Sequence, residues 1–131
     1  MIYCLDTNII IAVIRNQAKP IAKLKATEAL EIKVSEVVRA ELLFGCLKSN
    51  QPDKEQLKVE HVIGPFERLP FSDDAVEHYA SIRDDLERDG KIIGPNDLLI
   101  AATARSAGAV MVTANKKEFS RVPGLVVEDW T

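Results

Sequence analysis

The 131-residue chain carries a formal net charge of −3, and 47% of its residues are hydrophobic. A chain of this length is expected to form one domain, and this composition excludes a disordered protein. With a sequence pI near 5.4, it lacks the broad basic face of many nucleic-acid-binding proteins, although bound cations can reverse the charge of a local acidic site.

Strand and helix patterns alternate along the chain. Short apolar or alternating runs predict strands at Ile2–Leu5, around Ile32 and Val34, within Phe66–Phe71, at Ala109–Thr113 and at Leu125–Glu128. Caps, turn residues and apolar periodicity predict helices over Thr7–Ile14, Ala18–Leu30, Ser35–Lys48, Asp53–Val62, Ser72–Glu87 and Gly94–Gly108. Because helices connect successive strands, we expect an α/β fold with a mostly parallel sheet of four to five strands flanked by helices.

Asp6 follows the first predicted strand, at the edge where open α/β sheets place their ligands. It could equally cap the helix that begins at Thr7, and one carboxylate oxygen can cap while the other faces a cleft. A strand-end aspartate is also typical of phosphoaspartyl phosphatases and phospho-accepting receivers. The phosphatase pattern requires a second aspartate two residues on, where this chain has Asn8, and this weakens that interpretation.

Glu41 lies in the predicted Ser35–Lys48 helix with apolar neighbours such as Val38 and Phe44 at helical spacing. No basic residue stands four positions away to pair with it. A buried carboxylate is costly unless it is neutralised, paired or metal-bound. Glu41 is therefore either a site residue or a glutamate that reaches solvent at the edge of an apolar stripe.

Asp97 opens the predicted Gly94–Gly108 helix, which has almost no polar face. Pro95 suits the first turn of this helix, and Gly108 suits its left-handed stop. Asp97 has no lysine or arginine at pairing spacing. An acid in the first turn complements the helix dipole by roughly 0.3–1 kcal/mol, so a functional role depends on other unpaired acids converging on it.

A polar run, Thr113-Ala114-Asn115-Lys116-Lys117-Glu118-Phe119, follows the fourth predicted strand. It again places polar and acidic groups at the carboxyl end of a strand. As local sequence it predicts only a turn.

The cysteines and histidines predict no site. Cys4 and Cys46 stand apart among apolar neighbours, a pattern typical of buried thiols in a reducing compartment. His61 and His78 have no partner at metal-ligand spacing. The first apolar run, Ile9–Ile14, is far shorter than the roughly 20 residues that span a bilayer, and no basic signal region precedes it. We therefore expect a soluble, cytoplasmic protein with no membrane contact.

Taken together, these segments resemble those of PIN-domain ribonucleases, and most of all the VapC toxins of bacterial toxin–antitoxin modules. The likeness spans essentially the whole chain, 1–131 as a single PIN domain, and depends on order and spacing together. It is carried by Asp6-Thr7-Asn8, Glu41, Ile93-Gly94-Pro95-Asn96-Asp97, Thr113-Ala114-Asn115, Glu118-Phe119, Pro123-Gly124-Leu125 and Glu128-Asp129-Trp130. It implies a PIN-like three-layer fold in which Asp6, Glu41 and Asp97 share one cleft.

The resemblance implies a Mg²⁺-dependent endoribonuclease, with Mn²⁺ as the alternative ion and 5′-phosphate products. Asp6 and Asp97 would be direct metal ligands, and Glu41 would bind directly or through water. Oxygen-only carboxylate clusters select such hard cations. Two ions about 4 Å apart could activate water and stabilise the leaving oxygen of a phosphodiester displacement.

One position departs from the family pattern. Many PIN domains carry a fourth acid where this chain has Asn115, whose carbonyl can coordinate Mg²⁺ but adds no charge. Glu118 could compensate or could be a surface residue. Thr113 is better suited to hold a neighbouring carboxylate or water than to react. Local bases that could contact RNA, with loop solubility as their alternative role, are Arg15, Lys116 and Lys117.

The resemblance also implies a toxin that inhibits translation and growth, forms a homodimer, is neutralised by a VapB-type antitoxin and meets DNA only through that antitoxin. Enteric VapC toxins cut initiator transfer RNA at the anticodon, so transfer RNA is the expected substrate. Two other interpretations stay open. The chain could be a non-catalytic metal- or partner-binding PIN module that acts in operon repression, or a phosphatase that forms a phosphoaspartate at Asp6.

Overall fold

Five parallel strands form one sheet in a computed structural model that describes all 131 residues. The strand order is β3-β2-β1-β4-β5, and every neighbouring pair is parallel. The strands are β1 (Tyr3–Leu5), β2 (Ile32–Ser35), β3 (Glu67–Leu69), β4 (Val110–Val112) and β5 (Val127–Glu128). The predicted α/β class is confirmed, with all five strands parallel.

Seven α-helices flank the sheet. Local caps set where several of them begin: Ser35 Oγ accepts a hydrogen bond from the Val38 N–H at 3.1 Å, and Pro95 occupies the first turn of the sixth helix. The helices are α1 (Thr7–Ile14), α2 (Ala18–Lys25), α3 (Glu36–Lys48), α4 (Pro52–Ile63), α5 (Asp73–Arg88), α6 (Pro95–Ser106) and α7 (Lys116–Phe119).

Two predicted segments were wrong. The predicted Ala18–Leu30 helix stops at Lys25, and Ala29–Glu31 forms a separate 3-10 turn. The Thr27 hydroxyl donates to the Lys23 carbonyl at 2.8 Å, which competes with continued helix, and Leu30 is 84% exposed.

The run after β4, predicted as a turn, contains the helix α7. Its Phe119 side chain is fully buried. This burial stabilises a turn of helix that four residues would not form alone.

The core packs around β1, β4 and α6. Ile100, Ala101, Ala102 and Ala104 of α6 are each at most 1% exposed, as expected for a helix packed on most sides. Both cysteines are buried and free, as predicted. None of the helices combines the length and apolar character that a membrane crossing needs.

The parallel arrangement fixes where polar residues gather. The carboxyl ends of all five strands lie along one edge of the sheet. Asp6 follows β1 there, and its N–H donates to the Val112 carbonyl of β4 at 2.8 Å. Thr113 follows β4, and its N–H donates to the Glu128 carbonyl of β5 at 2.9 Å. Residues more than 100 positions apart are thereby brought side by side.

Candidate active site

Asp6 is a buried carboxylate held by residues from two strand ends. It is 4% exposed. Its Oδ1 accepts from the Thr7 N–H at 2.9 Å, which caps α1, and its Oδ2 accepts from the Thr113 hydroxyl at 2.7 Å. Burial raises the pKa of Asp6, whereas the hydrogen bonds from Thr113 and Thr7 lower it. The side chain therefore both caps a helix and lies in the cleft, the two compatible roles expected from sequence.

Glu41 joins the cleft from α3. Its Oε1 accepts from the Thr7 hydroxyl at 2.7 Å, and its Oε2 accepts from the Asn96 amide at 3.4 Å. Glu41 is thus tied to the start of α1 and to the start of α6.

The apolar stripe predicted around Glu41 is only partly buried. Phe44, one turn on, is 61% exposed, while the buried face of α3 consists of Val38, Leu42 and Cys46. Partial exposure is compatible with both alternatives for Glu41, a site residue or a glutamate that reaches solvent at the edge of an apolar stripe, so its role in the site stays a prediction.

Asp97, in the first turn of α6, lies beside the other acids. Burial raises the pKa of Asp97 to about 6, helped by the charges of Asp6, Glu118 and Glu41 and by a carboxyl–carboxyl hydrogen bond with Glu118. Burial is the largest cause of this rise in pKa, and the like charges of the three neighbouring acids add to it. Other unpaired acids therefore converge on Asp97, which is the arrangement on which a functional role for it depends.

Glu118 reaches this cluster through α7. Its Oε2 accepts from the Asn115 side-chain amide at 3.1 Å, and the Asn115 N–H donates to the Thr113 hydroxyl at 2.9 Å. Asn115 therefore lies near the site and supports Glu118. The sequence left Glu118 undecided because a carboxylate three residues past Asn115 points to the cleft only if a helical turn forms there.

Some contacts were not predicted. Thr7, Asn8 and Asn96 all hydrogen-bond to the acids. The only signal for these hydrogen bonds in the sequence was that Thr7 and Asn8 directly follow Asp6. The Thr113 hydroxyl does hold a neighbouring carboxylate, as predicted.

The three basic residues predicted to contact RNA are exposed and make no hydrogen bond or ion pair with the acids. Arg15 and Glu41 line the same cavity of about 530 Å³. Lys116 lies near Asp129, whose pKa is lowered by hydrogen bonds from Thr131 and also by Lys19 and Lys116. Whether Arg15, Lys116 and Lys117 touch RNA stays a prediction.

The donor set fits a hard divalent cation by its chemistry. The converging side chains offer carboxylate, hydroxyl and amide oxygens, which Mg²⁺ and Mn²⁺ prefer. None of the ion pairs in the structure involves Asp6, Glu41, Asp97 or Glu118. Their negative charge is therefore left for a partner from outside the chain. No three His, Cys, Asp or Glu side chains already stand in an arrangement that could hold a metal ion.

Comparison with known proteins shows the family of this chain. The family model described as "PIN domain" matches residues 3–125. The chain belongs to the PIN-domain family.

Several of the proteins that it resembles over their full length are VapC proteins. Ribonuclease VapC2 of Rickettsia felis is 40% identical, with 99% of this chain and 98% of the relative covered. The tRNA(fMet)-specific endonuclease VapC of Shigella flexneri is 36% identical, with 98% of each chain covered. The crystal structure of VapBC2 from Rickettsia felis bound to a DNA fragment from the promoter matches with a TM-score of 0.93 and 38% identity, covering 100% of both chains. The predicted resemblance to VapC is confirmed for this PIN domain.

Proposed function

We propose that this PIN domain, residues 1–131, is a divalent-metal-dependent endoribonuclease of the VapC toxin type. The observation that carries the proposal is the convergence of Asp6, Glu41, Asp97 and Glu118 on one cleft without a basic partner. PIN-domain nucleases generally depend on divalent metal ions. The names of the relatives, ribonuclease and tRNA-specific endonuclease, support RNA as the substrate.

In this proposal Asp6 and Asp97 would hold Mg²⁺, or Mn²⁺ in its place, and Glu41 would bind the ion directly or through water. Glu118 supplies the fourth carboxylate that position Asn115 lacks. When bound, the ion would supply activation of a water molecule and charge stabilisation of the leaving oxygen, chemistry that fits a product with a 5′-phosphate.

The chain contributes orientation. The Thr113 hydroxyl and the Thr7 N–H fix the plane of the Asp6 carboxylate, while the Thr7 hydroxyl fixes Glu41. Burial, together with the charges of Asp6 and Glu118, raises the pKa of Asp97 to about 6. Because a carboxylate must be deprotonated to bind a metal ion, metal affinity at Asp97 would depend on pH.

We propose transfer RNA as the substrate, and the anticodon loop of initiator transfer RNA as the first sequence to test. The Shigella flexneri relative is named for tRNA(fMet). A single-stranded loop presents an accessible backbone to an open cleft. Exposed Arg15, Lys116 and Lys117 are the basic residues placed to contact phosphates. Cleavage there would inhibit translation and growth in the cytoplasm.

The test is cleavage of purified transfer RNA by the full chain with Mg²⁺, Mn²⁺ or EDTA. We expect cleavage with either ion, none in EDTA, and a loss of about 100-fold or more in Asp97→Asn. Asp74→Asn is the matched control, because Asp74 is also in the first turn of a helix, α5, but its side chain is exposed. An Asp97→Asn variant that cuts as well as wild type would refute the site. Absence of cleavage across divalent ions, with partner binding retained, would favour the non-catalytic PIN module.

We also propose that a VapB-type antitoxin is the partner of this chain, and that the chain associates with DNA only through that antitoxin. The matched Rickettsia felis structure is a VapBC2 complex on promoter DNA. On this chain, an apolar groove of about 760 Å³ runs between α1, α2 and α4. Its lining combines apolar side chains with basic ones, among them Ile14, Ile21, Leu24, Leu57, Phe66, Lys25, Lys54, Lys58 and His61.

The groove leads toward the acids. Ile14 and Lys58 also line the neighbouring cavity of about 530 Å³, which extends to Glu41. An antitoxin segment with apolar side chains and acidic flanks could fill the groove and extend over the cleft. Such a segment would block RNA without needing to resemble it.

A homodimer completes the proposal. Phe44 and Leu47 of α3 are 61% and 73% exposed, and exposed apolar side chains on one helix favour self-association. Light scattering should give a dimer for the wild type and a monomer for Leu47→Asp. A monomeric wild type would contradict the dimer and leave the cleavage proposal unaffected.

A further inference from the structure

We propose that Asn8 is a positioning residue: it orients Asp6 and ties the segment that carries Asn115 and Glu118 to the first strand. The inference deepens the proposed function and rests on it, because Asp6 is one of the acids assigned to the metal. Asn8 follows β1 by three residues and lies in the first turn of α1, half-buried beside the cleft.

Both ends of the Asn8 amide are used. Its Nδ2 donates to Asp6 Oδ2 at 3.3 Å, and its Oδ1 accepts from the Ala114 N–H at 3.0 Å. Nδ2 also lies 3.5 Å from the Thr113 hydroxyl oxygen, at the outer limit of a hydrogen bond. One side chain therefore bridges the start of α1, directly after β1, and the loop after β4, 106 positions along the chain.

The contact with Asp6 completes the support of its carboxylate. Oδ2 accepts from the Thr113 hydroxyl at 2.7 Å and from Asn8 at 3.3 Å, while Oδ1 accepts from the Thr7 N–H. Three donors on a carboxylate leave little freedom of rotation about its Cβ–Cγ bond. An orientation of this kind holds the remaining lone pair in one direction, which is what a ligand atom of a metal site requires.

The contact with Ala114 acts on the other half of the cluster. Ala114 is exposed, and without Asn8 its N–H would bind only water. Held by Asn8, this peptide fixes the loop that leads into α7, where Asn115 supports Glu118 at 3.1 Å. Asn8 thereby couples the position of Asp6 to that of Glu118.

Only an amide performs both tasks at this position. Aspartate retains an acceptor for Ala114 but places a second carboxylate against Asp6 Oδ2, and alanine removes donor and acceptor together. This also accounts for Asn8 where a phosphatase would carry an aspartate: in this cleft, residue 8 faces a carboxylate oxygen and must donate to it.

The test compares Asn8→Asp and Asn8→Ala with Asn50→Asp, the same substitution at an exposed position two residues past the end of α3. Three quantities are measured: hydrogen exchange of the Ala114 amide, the unfolding temperature, and kcat and KM for transfer RNA with Mg²⁺. We expect kcat to fall about 10- to 100-fold in both Asn8 variants with KM within about threefold, as for other residues that orient a ligand. Ala114 exchange should be about 10-fold faster in Asn8→Ala and near wild type in Asn8→Asp.

The control separates positioning from folding. Asn50→Asp should match wild type in every measurement. A fall in kcat that merely tracks the folded fraction, or an Asn8→Asp variant with wild-type kcat, would overturn the proposal. So would unchanged Ala114 exchange in Asn8→Ala. If the wild type cuts no RNA with any divalent ion, the proposed function fails, and the exchange data still decide whether Asn8 ties the loop to the first strand.

Discussion

The acidic cleft and the apolar groove of this PIN domain are built in opposite ways. In the cleft, Asp6 after β1, Glu41 of α3 and Glu118 of α7 accept side-chain hydrogen bonds from Thr113, Thr7, Asn96 and Asn115, and Asp97 of α6 lies beside them. In the groove, the faces of α1, α2 and α4 leave apolar side chains uncovered, and Leu57 is 68% exposed. Oriented polar atoms suit an ion and a reaction, whereas an uncovered apolar surface suits a protein segment.

The difference implies that cleavage and neutralisation use separate residues. A carboxylate of the cleft can be changed without altering the apolar surface of the groove. A groove residue can be changed without altering any hydrogen bond of the cleft. Ile14 and Lys58 are the shared boundary, since they line both the groove and the cavity that reaches Glu41.

The largest effect should come from Asp6→Asn. The amide keeps the shape and the α1 cap but removes the charge at the buried centre of the acid cluster. We expect kcat to fall about 1,000-fold, equivalent to ~4 kcal/mol of transition-state stabilisation, with antitoxin affinity within threefold of wild type. Single-turnover cleavage measures the change in rate, and titration with the antitoxin measures the change in affinity. An equal loss of antitoxin binding would show that the cleft and the groove are not separable.

The converse change is Leu57→Asp in the groove. It places a charge where an apolar contact is proposed, and we expect antitoxin affinity to fall about 100-fold with cleavage unchanged. Leu30→Asp is the matched control, because Leu30 is also a highly exposed leucine but lies outside the groove. Equal losses of affinity in both variants would place the antitoxin elsewhere.

The pH dependence of unfolding stability should reflect the negative charge around Asp97. Its pKa is raised from 3.8 to about 6, chiefly by burial. The protonated carboxyl therefore contributes stability that is complete below the unfolded pKa and lost as pH rises through about 6. In EDTA, we expect the free energy of unfolding of Asp97→Asn to rise by about 1.5 kcal/mol relative to that of wild type between pH 4 and pH 7. This is less than the rise in the pKa of Asp97 alone would give, because water screens part of the interaction.

Urea unfolding at each pH measures this gain, and saturating Mg²⁺ should reverse it by binding the ionised wild-type cluster. A difference in stability between wild type and Asp97→Asn that changes with neither pH nor Mg²⁺ would mean that Asp97 is not surrounded by like charge.

A smaller effect is expected for Thr7→Val. The change keeps the volume and removes the hydroxyl that holds Glu41 Oε1 at 2.7 Å. We expect kcat to fall about 10-fold, as for other residues that support a ligand, with the groove unaffected. Thr27→Val, which removes a hydroxyl bonded to the Lys23 carbonyl in α2, is the control. Equal kcat in Thr7→Val and wild type would show that Glu41 needs no support from Thr7.

The sequence predicted the architecture because strand and helix patterns are local. Alternating elements, the caps of α3 and α5 and the Gly94–Gly108 boundaries are readable within a few residues of each other. The α2 error arose at Thr27, whose back-bond to Lys23 ends a helix that apolar periodicity would continue. The α7 error arose because burial of Phe119 outweighs local preference.

The cleft was only half predictable for the same reason. Asp6, Glu41 and Asp97 were each ambiguous alone, and their common meaning came from family order. The contact between Asp6 and Thr113 and the contact between Asn8 and Ala114 each join residues more than 100 positions apart. They depend on tertiary packing and cannot be predicted from local sequence. The groove was not predicted at all. It lies between three helices, and the sequence of one helix does not show which of its apolar side chains the other two leave uncovered.

The most direct test of the central claim is the site of Mn²⁺ binding, read by paramagnetic broadening of amide resonances in the full chain. We expect substoichiometric Mn²⁺ to broaden residues 6–8, 97 and 113–118 first, and to spare groove residues such as Leu24 and Leu57. The same titration of Asp6→Asn should lose this pattern. Broadening that begins instead at the exposed acids of α5, or that is unchanged in Asp6→Asn, would contradict a metal site in the cleft.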